Sequence, residues 1–195
     1  MTDVLVVGAG PTGLVLALWL TRLGARVRIV DRLAEPATTT RALAVQARTL
    51  ELYSQIGIAD AVVARGRTAT SVNLWVAGRR VARAAFGNIG EDISPYPYVL
   101  IYSQDEHEHL LIDQLRAAGV TVERRTELID FEQTADRVVA RLKLADGRIE
   151  ASDAAYVAGR EVRFWLQRCG QYLVGLSAQH RDFHLDEQAR YADVL

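Results

Sequence analysis

The chain has 195 residues, half of them hydrophobic and 24% charged, with a formal net charge of −1. This suits one ordinary domain, or one domain and part of a second, and excludes a disordered chain; the scattered Lys and Arg residues lack the clustering of a nucleic-acid binder. Cys169 is the only cysteine, no apolar run approaches the ~20 residues of a membrane span, and Asp3 replaces a basic leader. A cytoplasmic protein in a reducing compartment, contacting neither nucleic acid nor membrane, is therefore expected.

Val4-Leu5-Val6-Val7 is fully apolar, as in a parallel strand buried on both faces. Gly8 to Gly13 is a turn. Leu14 to Leu23 reads as a helix through Leu14, Ala17, Leu18 and Trp19, stopped by Gly24. Val27 to Val30 is the second strand, ending at Asp31. Pro36 and Thr38 to Thr40 form a loop, and Arg41 to Ile56 has helical periodicity. A shorter helix is expected over Ala59 to Ala64. Ser71 to Val76 and Arg79 to Phe86 read as strands around a turn at Ala77-Gly78. Asn88 to Pro97 is loop and Tyr98 to Tyr102 strand. Ser103 and Glu106 have the spacing of a capping box for a helix running to Ala118. Strands follow over Val120 to Arg124, Leu128 to Gln133 and Val138 to Leu144. Asp146-Gly147 turns the chain into a partner strand from Arg148 to Val157. Beyond Gly159, Val162 to Cys169 reads as a helix and Tyr172 to Leu176 as a strand.

Gly8-Ala9-Gly10-Pro11-Thr12-Gly13 fits G-x-G-x-x-G. The first glycine makes the tight turn, the second admits a pyrophosphate to the backbone, and the third lets helix and strand pack closely. Phosphates favour the helix N-terminus, with its free N–H groups and positive dipole end. Asp31, roughly twenty residues on, can accept hydrogen bonds from ribose hydroxyls. Strand, turn, helix, strand and terminal acid together indicate an ADP-containing cofactor, without separating FAD from NAD. Arg41, after a threonine-rich loop, is a candidate charge-assisted phosphate donor.

Three stretches carry a resemblance: DVLVVGAGPTGLVLALWLTRLGARVRIVDR from Asp3 to Arg32, TTTRALAVQARTLELYSQIGI from Thr38 to Ile58, and YSQDEHEHLLIDQLRAAGV from Tyr102 to Val120. In this order the chain resembles the flavoprotein aromatic hydroxylases, the para-hydroxybenzoate hydroxylase-like FAD monooxygenases, nearest to the polyketide and phenol hydroxylase branch. The resemblance implies that Asp31 holds the adenosine ribose and Arg32 lies beside the adenine. It places Arg41 on the pyrophosphate and ribityl region, Gln104 near the ribityl chain, and the backbone of Leu128 on the adenine. Gly8, Gly10, Pro11, Thr12 and Gly13 complete the cofactor-binding set. No catalytic residue is assigned, because the cofactor supplies the chemistry.

The implied fold is α/β: a Rossmann-like FAD/NAD(P)-binding fold with a parallel sheet, a β-meander crossover and an incomplete second domain. Residues 1–170 would form the FAD-binding domain, with 70–100 opening a substrate-domain insertion and 171–195 a fragment of that second domain. The implied function is FAD-dependent monooxygenation of an aromatic or polyketide-like substrate with NAD(P)H and O₂. The alternative is a non-catalytic or degenerate FAD- or dinucleotide-binding fragment. The oligomeric state, including a homo-oligomer, is left open.

The chain departs from the family after Gly159. A second FAD motif, roughly G-x-D-G-x-x-S-x-V-R, belongs there; Arg160-Glu161-Val162-Arg163 follows instead, with no Asp-Gly or Ser. A later Gly-Asp motif is also absent. A single cysteine argues against a pyridine nucleotide-disulfide reductase, which needs a redox pair. His180 and His184 have metal-pair spacing but no acid in H-E-x-x-H form, and read as exposed histidines. His107 and His109, two apart on one helix, face different sides. Cys169 reads as a buried structural cysteine. Trp75, Tyr96 and Trp165 fit an aromatic pocket or plain packing.

Overall fold

The computed structural model describes residues 2–36, 44–86 and 90–159, and the backbone of 165–168 and 171–174. In chain order the elements are β1 (Thr2–Val7), α1 (Pro11–Arg22), β2 (Val27–Asp31), β3 (Ala44–Val45), α2 (Ala47–Gln55), α3 (Ala59–Arg65), β4 (Arg67–Ala69), β5 (Ser71–Val76), β6 (Arg79–Ala85), β7 (Val99–Ile101), α4 (Gln104–Ala117), β8 (Val122–Arg124), β9 (Glu127–Gln133), β10 (Val138–Lys143), β11 (Ile149–Gly159), β12 (Trp165–Arg168) and β13 (Gln171–Val174).

A six-stranded sheet runs β8-β2-β1-β11-β10-β9. β8, β2, β1 and β11 are mutually parallel, while β10 and β9 return antiparallel. β11 joins the two parts. Its first half pairs with β10, from Ile149 opposite Lys143 to Ala154 opposite Val138, and its second half pairs with β1, from Ala154 opposite Thr2 to Gly159 opposite Val7. The expected parallel sheet and β-meander are thus one continuous structure.

Strand alternation divides the core in two, because successive side chains leave a strand on opposite faces. Val4, Val6 and Ile29 face α1 and α4, burying Leu14, Ala17 and Leu18 against Leu110, Leu111 and Leu115. Leu5 and Val30 face the other way and pack with Val138, Ala140, Leu142 and Val157 of the meander. Fully apolar β1 and β2 reflect this burial on both sides. Arg28 ties the sheet across one edge: its guanidinium donates twice to Glu123, at 2.8 Å each, and to Glu150 at 2.7 Å and Ser152 at 2.9 Å.

The structure alters three expectations. Ala44–Val45 is strand, not helix, and pairs with Leu100 and Ile101, so helix α2 starts only at Ala47. Trp165–Arg168, expected as helix, is a strand paired antiparallel with β13. Ser103 occupies the N-cap of α4 with extended φ and ψ, but its side chain makes no capping bond, so the capping box is unformed. The hairpin β5–β6 does form, around a turn in which Ala77 (φ 47°) and Gly78 (φ 75°) are both left-handed, as a two-residue type I′ connection requires. Val72, Leu74, Trp75, Val76 and Val81 of this hairpin are exposed. Tyr96 packs edge-on against Tyr98 beside the first core. Arg41, Arg163, Cys169, His180 and His184 lie outside the described residues.

Candidate functional site at the carboxyl edge of the parallel sheet

β1 ends at Val7, and Gly8 turns the chain with φ 101°, a conformation that glycine adopts without strain. Its amide donates to Val30 O at 2.8 Å, holding the turn against the end of β2. Gly13 lies over this turn: a Cβ there would sit 1.9 Å from Gly8 O. Only glycine lets α1 come so close to β1. Gly10 is different. A Cβ built there meets nothing within 4 Å, so the turn faces open space at this residue.

Gly10 is also the N-cap of α1. It has no side chain to cap with, Pro11 follows, and no acidic residue stands in the first turn. The first intrahelical bond runs from Leu14 N to Gly10 O at 2.9 Å. The amides of exposed Thr12 and half-buried Gly13 precede it, at the helix end whose N–H groups lack intrahelical acceptors. Space at Gly10, free donors and the positive dipole end together make a seat for a diphosphate. This fits the pyrophosphate of a dinucleotide cofactor.

Asp31 ends β2 and is buried. Oδ2 accepts from Ala9 N at 2.5 Å, and Oδ1 accepts from Leu33 N at 2.8 Å. The acid thus clamps the glycine turn to the strand end. Each carboxylate oxygen retains a lone pair for a further donor. Arg32, next in the chain, is exposed. The chain after β8 crosses the same edge: Thr126 N donates to Asp31 O at 3.0 Å and Arg125 N to Leu33 O at 3.2 Å. Leu128 follows, with its side chain packed on the second core and its backbone in register with Leu142. Only its backbone remains to serve a ligand. Gly8 to Gly13, Asp31, Arg32 and the approach to Leu128 are therefore gathered on one edge.

Gln104 stands apart, as the first residue of α4. Its amide nitrogen donates to Glu108 Oε1 at 2.8 Å. Glu108 is buried. Its neighbour His107 is buried too, with Nε2 2.9 Å from Tyr53 Oη. Burial lowers the His107 pKa and raises that of the Tyr53 phenol, since a low-dielectric site disfavours either charged form. His109 is exposed and bonded to Asp105 O, so the two histidines do face different sides.

Sequence reading missed one further residue on this edge. Arg124 ends β8 directly opposite Asp31 in the parallel register. Nη1 lies 3.8 Å from Asp31 Oδ2. Nη2 is buried and has no hydrogen-bond partner among the described residues. The available signal was an arginine closing the third parallel strand, but its register against β2 is not written locally. Among the described residues no group of His, Cys, Asp and Glu could hold a metal ion, and no helix is long and apolar enough to cross a membrane.

Comparison with known proteins agrees with this geometry. The chain is 42% identical over 182 residues to 6-methylpretetramide 4-monooxygenase of Streptomyces rimosus, covering 91% of this chain and 32% of that protein. It is 30% identical over 182 residues to pentachlorophenol 4-monooxygenase of Sphingobium chlorophenolicum, covering 92% and 33%. Aklavinone-11 hydroxylase, solved in a ternary complex with FAD and aklavinone, matches with TM-score 0.71 and 33% identity over 80% of this chain and 32% of that one. p-Nitrophenol 4-monooxygenase of Pseudomonas putida DLL-E4 shares the fold, with TM-score 0.75 at 24% identity, over 82% and 40% of the two chains. The chain spans about a third of the length of the curated relatives it matches. The family described as FAD binding domain matches residues 1–161, and the chain belongs to that family.

Proposed function

We propose that this chain binds FAD through its ADP half and belongs to a monooxygenase that hydroxylates an aromatic or polyketide-like substrate with NAD(P)H and O₂. The observation that carries this reading is the uncapped start of α1 facing open space at Gly10, beside the buried acceptor Asp31. The similarity to monooxygenases of polyketides and phenols supports the substrate class. In this reading the amides of Thr12 and Gly13 take the pyrophosphate and Asp31 takes a ribose hydroxyl. Arg32 and the Leu128 backbone flank the adenine. Arg41 and Gln104 continue the grip toward the ribityl chain, with Glu108 orienting the Gln104 amide. Bound FAD would carry electrons from the nicotinamide to O₂ and deliver an oxygen atom to the ring. Residues 1–170 form the FAD-binding unit in this reading. The exposed hairpin β5–β6 opens the substrate-domain insertion, which its uncovered Val72, Leu74 and Val81 support.

A second reading, a non-catalytic or degenerate FAD-binding fragment, is favoured by Arg160-Glu161-Val162-Arg163 standing where Asp-Gly and Ser are expected. Adding FAD to the purified chain, desalting and recording the visible spectrum tests the common premise. Retained oxidised-flavin bands are expected; a colourless protein refutes FAD binding. Substrate-dependent NAD(P)H oxidation by the flavin-loaded chain then separates the two readings, and its complete absence favours the second.

A further inference from the structure

The residue that the described contacts leave incomplete is Arg124. A guanidinium carries five N–H donors and no acceptor. Here Nη1 reaches only to 3.8 Å from Asp31 Oδ2, an ion-pair separation too long for a hydrogen bond. Nη2 has no partner among the described residues, although the side chain is only 18% exposed. Buried donors in folded proteins are almost always paired. The groups around it are already engaged: Asp31 accepts from Ala9 and Leu33, while the amides of Arg125 and Thr126 donate to Leu33 O and Asp31 O.

An unsatisfied donor thus stands beside a carboxylate acceptor at the carboxyl ends of two adjacent parallel strands, where ligands of open α/β sheets bind. A ligand that completes both must offer a hydroxyl to Asp31 and an acceptor to Arg124. The sugar edge of adenosine offers both, with ribose hydroxyls beside the acceptors O2′ and adenine N3. We propose that Arg124 is an adenosine-binding residue, donating through Nη2 to O2′ or N3 while Asp31 accepts from the ribose. The inference rests on the reading that this edge holds an ADP-containing cofactor. Arg124 sets the selectivity for the nucleoside, whereas the glycine turn, which sees only phosphates, does not.

The test is calorimetric titration of the full chain with ADP, 2′-deoxy-ADP and 3-deaza-ADP. The proteins are the parent, Arg124→Met, which removes all donors, and Arg124→Lys, which keeps a cation for Asp31. Both variants should bind ADP about tenfold to a hundredfold more weakly, the loss expected for one hydrogen bond to a charged group. Against whichever analogue lacks the true acceptor, the penalty should vanish. Unchanged ADP affinity in both variants, with the parent binding normally, overturns the role of Arg124 alone. Equal penalties for all three nucleotides also overturn it, because they mark a merely structural residue. A parent chain that binds neither ADP nor FAD overturns this inference and the FAD reading together.

Discussion

Gly10 and Gly13 belong to one motif but answer to different physics, and alanine at each should separate them. At Gly13 the new Cβ would lie 1.9 Å from Gly8 O and 3.1 Å from Gly8 C. Both obstacles are backbone, so no rotamer change relieves the clash. Moving to 3.0 Å, below which real contacts essentially do not occur, shifts α1 or the turn by about 1 Å. That shift disturbs the contact of Leu14, Ala17 and Leu18 with Val4 and Val6, and the Ala9–Asp31 clamp. Overpacking of a filled core costs typically ~1–3 kcal/mol, and this site belongs at the upper end. For a chain of this size that is a melting decrease of about 5–10 °C. At Gly10 φ is −78° and nothing lies within 4 Å, so alanine should leave melting within about 0.5 kcal/mol of the parent. The same methyl intrudes where the pyrophosphate is to sit, so FAD affinity should fall. Thermal and urea melts followed by circular dichroism, paired with FAD titrations, read both quantities. A Gly13→Ala chain as stable as the parent, or a Gly10→Ala chain that binds FAD undiminished, refutes this division of roles.

Arg28→Met should cost about 1–2 kcal/mol in the same urea melt. It strips Glu123 and Glu150 of their shared cation, and the figure is discounted because both acids remain 41% exposed; a variant as stable as the parent would show that the clasp contributes nothing. His107 resists protonation in the fold, whereas in the unfolded chain it titrates near pH 6.5. Its contribution to stability is therefore complete above about pH 6.5 and declines as pH falls below that value, where only the unfolded state gains the proton. His107→Gln should flatten this part of the stability–pH curve, and an unchanged slope rejects the assignment. Arg41→Ala should lower flavin occupancy and leave the denaturation midpoint unchanged; equal occupancy in variant and parent removes Arg41 from the site.

What could be read in the sequence follows from how far each feature depends on distant residues. β1, the glycine turn, α1 and β2 carry their signals within thirty residues: apolar strands buried on two faces, glycines where a side chain would collide, proline at the helix start. Of the elements misread, Trp165–Arg168 pairs with a strand only a few residues on, but Ala44–Val45 is specified by a partner remote in sequence. Ala44–Val45 continues a helical periodicity, yet pairs with Leu100 and Ile101 more than fifty residues on. Arg67–Ala69, assigned to no element from the sequence, becomes strand β4 by pairing with that same segment. At Ala44–Val45 tertiary pairing outweighed the local helical periodicity.

The edge proposed to hold the cofactor shows the same division. Asp31 was legible, because an acid at the end of the second strand is a local signal. Its clamp on Ala9 was not, nor was Arg124, which reaches it only through a register set ninety residues later in the chain. This has a consequence for how the site is built. The glycine turn is held by β1, α1 and the end of β2, all within thirty residues, but the proposed adenosine side also needs β8 in place beside β2. Thr126 and Arg125 dock on Asp31 and Leu33 through backbone bonds, and Arg28 braces β8 and β11 through Glu123 and Glu150. In the proposed reading the phosphate seat is therefore local and the nucleoside seat is tertiary. Loosening the Arg28 clasp should weaken adenosine recognition before it weakens the grip on phosphate.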